Sequence, residues 1–120
     1  MTANELGNMG RYGAKPIIFV LNNSGYMVER ALEISPDEKY NDLAQWDYTA
    51  LPAAFGCKDW FTAKAATNAE LDKAMAKARA CDSGCYIEIL GGRLDLTVGL
   101  KVMHSRLMEE YGFNDKREMP

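Results

Sequence analysis

The sequence predicts an α/β domain: a three-layer sandwich with a mainly parallel sheet flanked by helices. Three observations carry the prediction. The run Ile17-Ile18-Phe19-Val20-Leu21 follows Pro16 and ends in the polar quartet Asn22-Asn23-Ser24-Gly25. Five apolar residues, three of them β-branched, bounded in this way, read as a central parallel strand buried on both faces. Cys85-Tyr86-Ile87-Glu88-Ile89-Leu90 alternates, carries β-branched residues and stops at Gly91-Gly92, so it reads as another strand. Between them, Leu71, Met75 and Ala78 recur at helical intervals. Strands separated by helices of this length imply right-handed βαβ units.

In chain order, Thr2 and Glu5 have capping-box spacing, Leu6 and Met9 share a helical face, and Gly13 supplies a stop, giving a helix over 3–12. The first strand takes 16–22 and a short helix 26–32. Ser35, before Pro36, is pushed away from helical geometry, and Asp37-Glu38-Lys39 continue an exposed loop. Asp47 is a candidate N-cap for a helix to Phe55, bent at Pro52 and stopped by Gly56. Trp60 to Ala66 reads as a weaker strand, because lysine and alanine have low β-propensity. Thr67 and Glu70 repeat the capping-box spacing for a helix ending at Ala80. Leu96, Leu100, Met103, Leu107 and Tyr111 are spaced by four, three, four and four residues before Gly112. They predict a long amphipathic helix followed by an acidic tail.

At 120 residues, 48% hydrophobic and 26% charged, the chain has globular composition and can bury about two-thirds of its unfolded surface. A net charge of −3 supplies no basic footprint for nucleic acid. The first residues have neither a basic nor an apolar leader region, and no stretch approaches 18 apolar residues, so the expectation is a soluble, cytoplasmic protein with no membrane partner. Cys57, Cys81 and Cys85 are an odd number without framework spacing, as expected of small core residues in a reducing compartment. Only one histidine, His104, is present, which leaves a Cys/His zinc site short of ligands. His104 lies beside the apolar stripe of the last helix and is expected to be partly exposed; Met75 and Met103 are expected in the core, and Trp46 and Tyr48 as loop or core anchors. Three strands are few for such a sheet, and the first helix has no strand before it. Met1 is therefore expected to be an internal residue of a longer parent, with an unpaired sheet edge favouring self-association.

Thr2-Ala3-Asn4-Glu5-Leu6, Lys15 to Glu29, Tyr40-Asn41 and Trp46-Asp47-Tyr48 resemble the carboxy-terminal diphosphate-binding domain of the pyruvate decarboxylase and indolepyruvate decarboxylase family. The similarity runs from Thr2 through Leu90. It implies an incomplete thiamine-diphosphate-binding fold, with 1–120 as a single domain, the C-terminal part of that fold. In the family a cofactor motif opens with Gly-Asp-Gly and closes with Asn-Asn; only the closing half is present, and the opening half would fall upstream of Met1.

The resemblance implies thiamine diphosphate and Mg²⁺ as cofactors and a 2-oxo acid as substrate. Mg²⁺ prefers oxygen ligands, and the resemblance makes the Asn23 side-chain oxygen and the Gly25 main-chain oxygen two of them. Tyr26 matches a position that contacts the cofactor by its backbone, and the helix starting there would turn its amides toward the phosphates. Val28 matches an apolar position beside the reactive ring. Glu29 matches the catalytic glutamate, a proton-relay residue that acts after carbon dioxide leaves, a role that an apolar surrounding would assist by raising its pKa. Taken without the resemblance, Asn22 to Gly25 is a turn and helix cap, and Glu29 a first-turn carboxylate complementing the helix dipole. The family's site also takes an activating glutamate and a pair of histidines from a partner domain, and none of these is in this sequence. Three readings follow: a fragment of a decarboxylase inactive alone, a split subunit completed by a separate partner chain carrying the missing half, and a folded, non-catalytic remnant; a homo-oligomer or such a partner chain is expected.

Overall fold

The structure is a computed structural model that describes residues 3–33, 35 and 37–112. Thr2, Pro36 and the tail after Gly112 therefore lie outside the described residues. The elements are α1 (Glu5–Arg11), β1 (Ile17–Asn22), α2 (Met27–Leu32), α3 (Leu51–Ala54), β2 (Phe61–Ala65), α4 (Asn68–Ala80), β3 (Cys85–Leu90) and α5 (Val98–Glu110), with 3-10 turns at Lys39–Asn41 and Tyr48–Ala50. They form two compact units, one from 1–22 and 46–90, the other from 23–45 and 91–120.

The first unit is an α/β sandwich. Its sheet has the order β1-β3-β2, and both pairings are parallel. Ile17 pairs with Cys85 and Asn22 with Leu90 on one side; Phe61 pairs with Cys85 on the other. The residues of β3 that share a face with Ile17, Phe19 and Leu21 are thus Cys85, Ile87 and Ile89. On this face α4 lays Ala74 and Ala78 against Cys85 and Ile87, with Phe61, Ala63, Leu71 and Met75 around them. The opposite face carries Tyr86, packed with Leu6, Cys57 and Trp60 and flanked by Ile18, Val20, Tyr48 and Leu51. Small alanines let α4 approach closely, so Ile87 is fully buried, a contribution of about 2 kcal/mol from its side chain.

The central strand is β3, not β1 as the apolar run had suggested. β1 alternates between exposed and half-buried positions, with Ile17 39%, Phe19 44% and Leu21 77% exposed. The reason is coverage: α4 packs on β2 and β3, so the second apolar face of β1 carries no helix of this unit among the described residues. The expected kinked helix over 47–55 also differs. A 3-10 turn runs into α3, and Pro52 sits in the first turn of α3, where its missing N–H costs no intrahelical bond. Asp47 accepts the Thr49 hydroxyl at 2.8 Å and caps no helix. The α4 capping box forms as expected, Thr67 Oγ1 accepting the Glu70 N–H at 3.2 Å and Glu70 Oε2 accepting the Thr67 N–H at 3.1 Å. Cys57 and Cys85 are buried, and Cys81, half-buried at the end of α4, packs against the edge of the Ala74, Ala78, Cys85 and Ile87 cluster. Burial pushes the Cys85 thiol up, while hydrogen bonding from Ser83 lowers Cys81.

The second unit pairs α2 with α5. α5 starts one residue after Thr97, whose Oγ1 accepts the Leu100 N–H at 3.3 Å. Its buried residues are His104 and Met108, whereas Met103 is 46% exposed. This reverses the expectation for Met103 and His104. The buried face is turned toward His104 and Met108, with Leu100 and Leu107 of the apolar stripe half-buried beside them, and His104 Nδ1 hydrogen-bonds the Ala31 carbonyl of α2.

Candidate functional site

Asn23-Ser24-Gly25-Tyr26 links the end of β1 to α2. Ser24 takes the left-handed conformation, φ +64°, at a cost of roughly 1–2 kcal/mol. The backbone is held there by the segment 41–43. The Tyr26 N–H donates to the Asn41 carbonyl at 2.8 Å and the Leu43 N–H to the Ser24 carbonyl at 3.3 Å, forming an antiparallel bridge between Gly25 and Asp42. In such a pair the two central residues do not bond each other, and their own N–H and C=O groups point away from the partner strand. Among the described residues no hydrogen bond reaches the Gly25 carbonyl or the Asn23 side chain.

Beneath the turn lies charge. Arg30, on α2, is completely buried; its Nη2 donates to the Ser24 carbonyl at 3.2 Å and to Asp42 Oδ1. Arg93 reaches the same oxygen of Asp42 at 3.1 Å and Asp37 at 2.6 Å. The Arg30 guanidinium, and after it Arg93, hold the Asp42 carboxyl below the usual carboxylate range. Asn41 is buried, and its amide donates to Glu33 Oε2 at 2.6 Å. A Cβ on Gly25 would overlap the Asn41 carbonyl and the Arg30 guanidinium, so only glycine fits.

Of the residues singled out in the sequence, Asn23 and Gly25 are half-buried in the turn, while Tyr26, Val28 and Glu29 are exposed on it and on the first turn of α2. α2 is six residues long and has no side-chain cap, too short for its amide end to form an anion site by itself. Sequence reasoning gave no part to Arg30, Asp42 or Arg93, although Arg30 directly follows Glu29. It also passed over Glu88, a buried carboxylate in the first unit. Glu88 accepts the amide of Asn22, the last residue of β1, at 2.7 Å and pairs with Lys64 at 3.2 Å. A lone carboxylate inside an apolar strand was the available signal.

A family model described as the thiamine pyrophosphate enzyme, C-terminal TPP binding domain, matches residues 1–89. The chain belongs to this family. Members similar to it include an alpha-keto-acid decarboxylase of Mycobacterium leprae, 38% identical over 97 residues, which cover 80% of this chain and 17% of that protein. The alpha-keto-acid decarboxylase of Mycobacterium tuberculosis is 39% identical over 99 residues, with the same coverage of 80% and 17%. Pyruvate decarboxylase isozyme 1 of Saccharomyces cerevisiae is 42% identical over 73 residues, 61% of this chain and 13% of that protein. The chain thus spans less than a fifth of the length of these relatives.

For a thiamine pyrophosphate family member the donor set at the turn is chemically apt. Among the described residues no group of three His, Cys, Asp or Glu side chains could hold a metal. The turn offers neutral oxygens, the Gly25 carbonyl directed away from its bridge and the Asn23 amide, and hard divalent cations accept such ligands. No described helix is long and apolar enough to cross a membrane.

Proposed function

We propose that this chain is the C-terminal part of a single diphosphate-binding domain from a 2-oxo acid decarboxylase of the pyruvate and indolepyruvate type, acting in the cytoplasm. It would supply the closing half of a thiamine diphosphate and Mg²⁺ site. The observation that carries this reading is the Gly25 carbonyl, two residues after Asn23, which the Gly25–Asp42 bridge leaves directed away from its partner strand. Asn23 and Gly25 hold Mg²⁺ through these two oxygens. Tyr26 meets the cofactor with its backbone, and Val28 lends an apolar surface that excludes water. Glu29 holds and returns a proton. The chemistry supplied when thiamine diphosphate is bound is capture of the 2-oxo group and acceptance of the electrons left by departing carbon dioxide.

The exposure of Tyr26 and Val28, 52% and 47%, and of Glu29 favours a site completed by the surface of a partner chain carrying the missing half over one that works alone. The chain is accordingly expected to be inactive by itself, and a purely non-catalytic folded remnant is the competing reading. Calorimetric titration of the 120-residue chain with thiamine diphosphate, with and without Mg²⁺, tests the proposal. Binding that requires Mg²⁺ and falls at least about tenfold, or about 1.4 kcal/mol, in Asn23→Ala supports it. Binding indifferent to both overturns the metal assignment, and absence of binding favours the remnant.

A further inference from the structure

We propose that Arg30 and Asp42 are positioning residues for the Asn23–Gly25 turn: the buried guanidinium and the carboxylate it grips fix the backbone conformation that directs the Gly25 carbonyl away from the Gly25–Asp42 bridge. The proposal rests on the functional reading above for what the turn binds, but the positioning itself stands on geometry. Nη2 of Arg30 bonds two groups at once, the carbonyl of left-handed Ser24 and the side chain of Asp42. Those residues lie on opposite strands of the bridge that sets the turn. The guanidinium also fills the space that a Gly25 side chain would need. Arg93, which follows Gly91-Gly92, holds Asp42 from a second direction and ties it to Asp37.

An arginine placed for stability alone is hard to rationalise here. Its side chain is fully removed from water, and among the described residues its Nε and Nη1 have no hydrogen-bond partner. Burying a guanidinium with two unmet donors is unfavourable, and an apolar residue of similar volume fills such a space as well or better. What an apolar residue could not do is bond the Ser24 carbonyl and Asp42 together. The one satisfied nitrogen is the one that touches both halves of the turn.

The test is amide hydrogen exchange on the full 120-residue chain, comparing the Tyr26 and Leu43 amides, which close the bridge, with the Ile87 and Ile89 amides of β3. In Arg30→Met and in Asp42→Asn the two bridge amides should lose at least about tenfold in protection relative to β3. Arg30→Lys, which keeps a charged donor, should retain most of that protection. An unchanged ratio, or equal loss at all four amides, overturns the proposal, because the residues then serve the fold at large. If Arg30→Met does not fold, Asp42→Asn, close in size to the residue it replaces, decides by the same ratio. A parallel titration with Mg²⁺ and thiamine diphosphate separates this proposal from the functional one. If the parent chain binds and Arg30→Met binds equally well, positioning is refuted. If the parent does not bind, the functional reading fails and the exchange ratio still decides the role of Arg30.

Discussion

At Gly25 a methyl group would meet the Asn41 carbonyl on one side and the Arg30 guanidinium on the other. Gly25→Ala is therefore expected to cost about 1–3 kcal/mol, read as a lowered urea midpoint with the slope unchanged. Glu88 is a second site of concentrated consequence. Glu88→Ala removes the acceptor for the Asn22 amide and the partner of Lys64, and should destabilise the chain by about 2 kcal/mol. Glu88→Gln, which still accepts from Asn22, should cost less, and an equal loss for both would show the charge rather than the hydrogen bond to matter. The turn and short helix that carry Asn23, Gly25, Tyr26, Val28 and Glu29 were legible because the strand end, the polar turn and the helix follow one another along the chain. Arg30, Asp42 and Arg93 were not, because their meeting depends on segments separated by 12 and 51 residues, which no local pattern encodes.

Element by element, legibility followed the locality of the signal. α4 forms as read because its cap lies within four residues of chain: Glu70 Oε2 accepts the N–H groups of Thr67 and Ala66 at 3.1 and 2.8 Å. Those bonds hold the Glu70 carboxyl below its ordinary value. A carboxylate whose folded pKa is depressed contributes stability above its unfolded pKa and loses it as pH falls toward the folded one. Unfolding midpoints should thus drop on acidification through the carboxylate range, and Glu70→Gln should flatten that dependence. Thr67→Ala should cost about 1 kcal/mol at neutral pH. The rank of β1 in the sheet and the buried line of α5 were misread for the opposite reason. Apolar periodicity reports which residues can be buried, but the partner chosen depends on distant segments: α4 covers β2 and β3, and His104 takes the Ala31 carbonyl.

For the molecule as a whole, the apolar face of β1 is the feature most open to experiment. Ile17, Phe19 and Leu21 stand exposed on a strand whose only described partner is β3, the arrangement that invites pairing with another chain. Light scattering should show association that weakens in Phe19→Lys; a monodisperse monomer in the parent chain would exclude it. Beyond this, the two units are interleaved along the sequence, since the chain passes from one to the other after Asn22, after Gln45 and after Leu90. The family model ends at residue 89, yet Arg93 and the helix that α2 packs against come later. A gene trimmed to the recognisable homology would keep every residue of the Asn23–Tyr26 turn and discard Arg93, which holds Asp42, and the helix that packs on α2. Expression boundaries drawn from sequence similarity would accordingly yield the sheet with a loosened turn, and a negative binding assay on that product would say nothing about the intact chain.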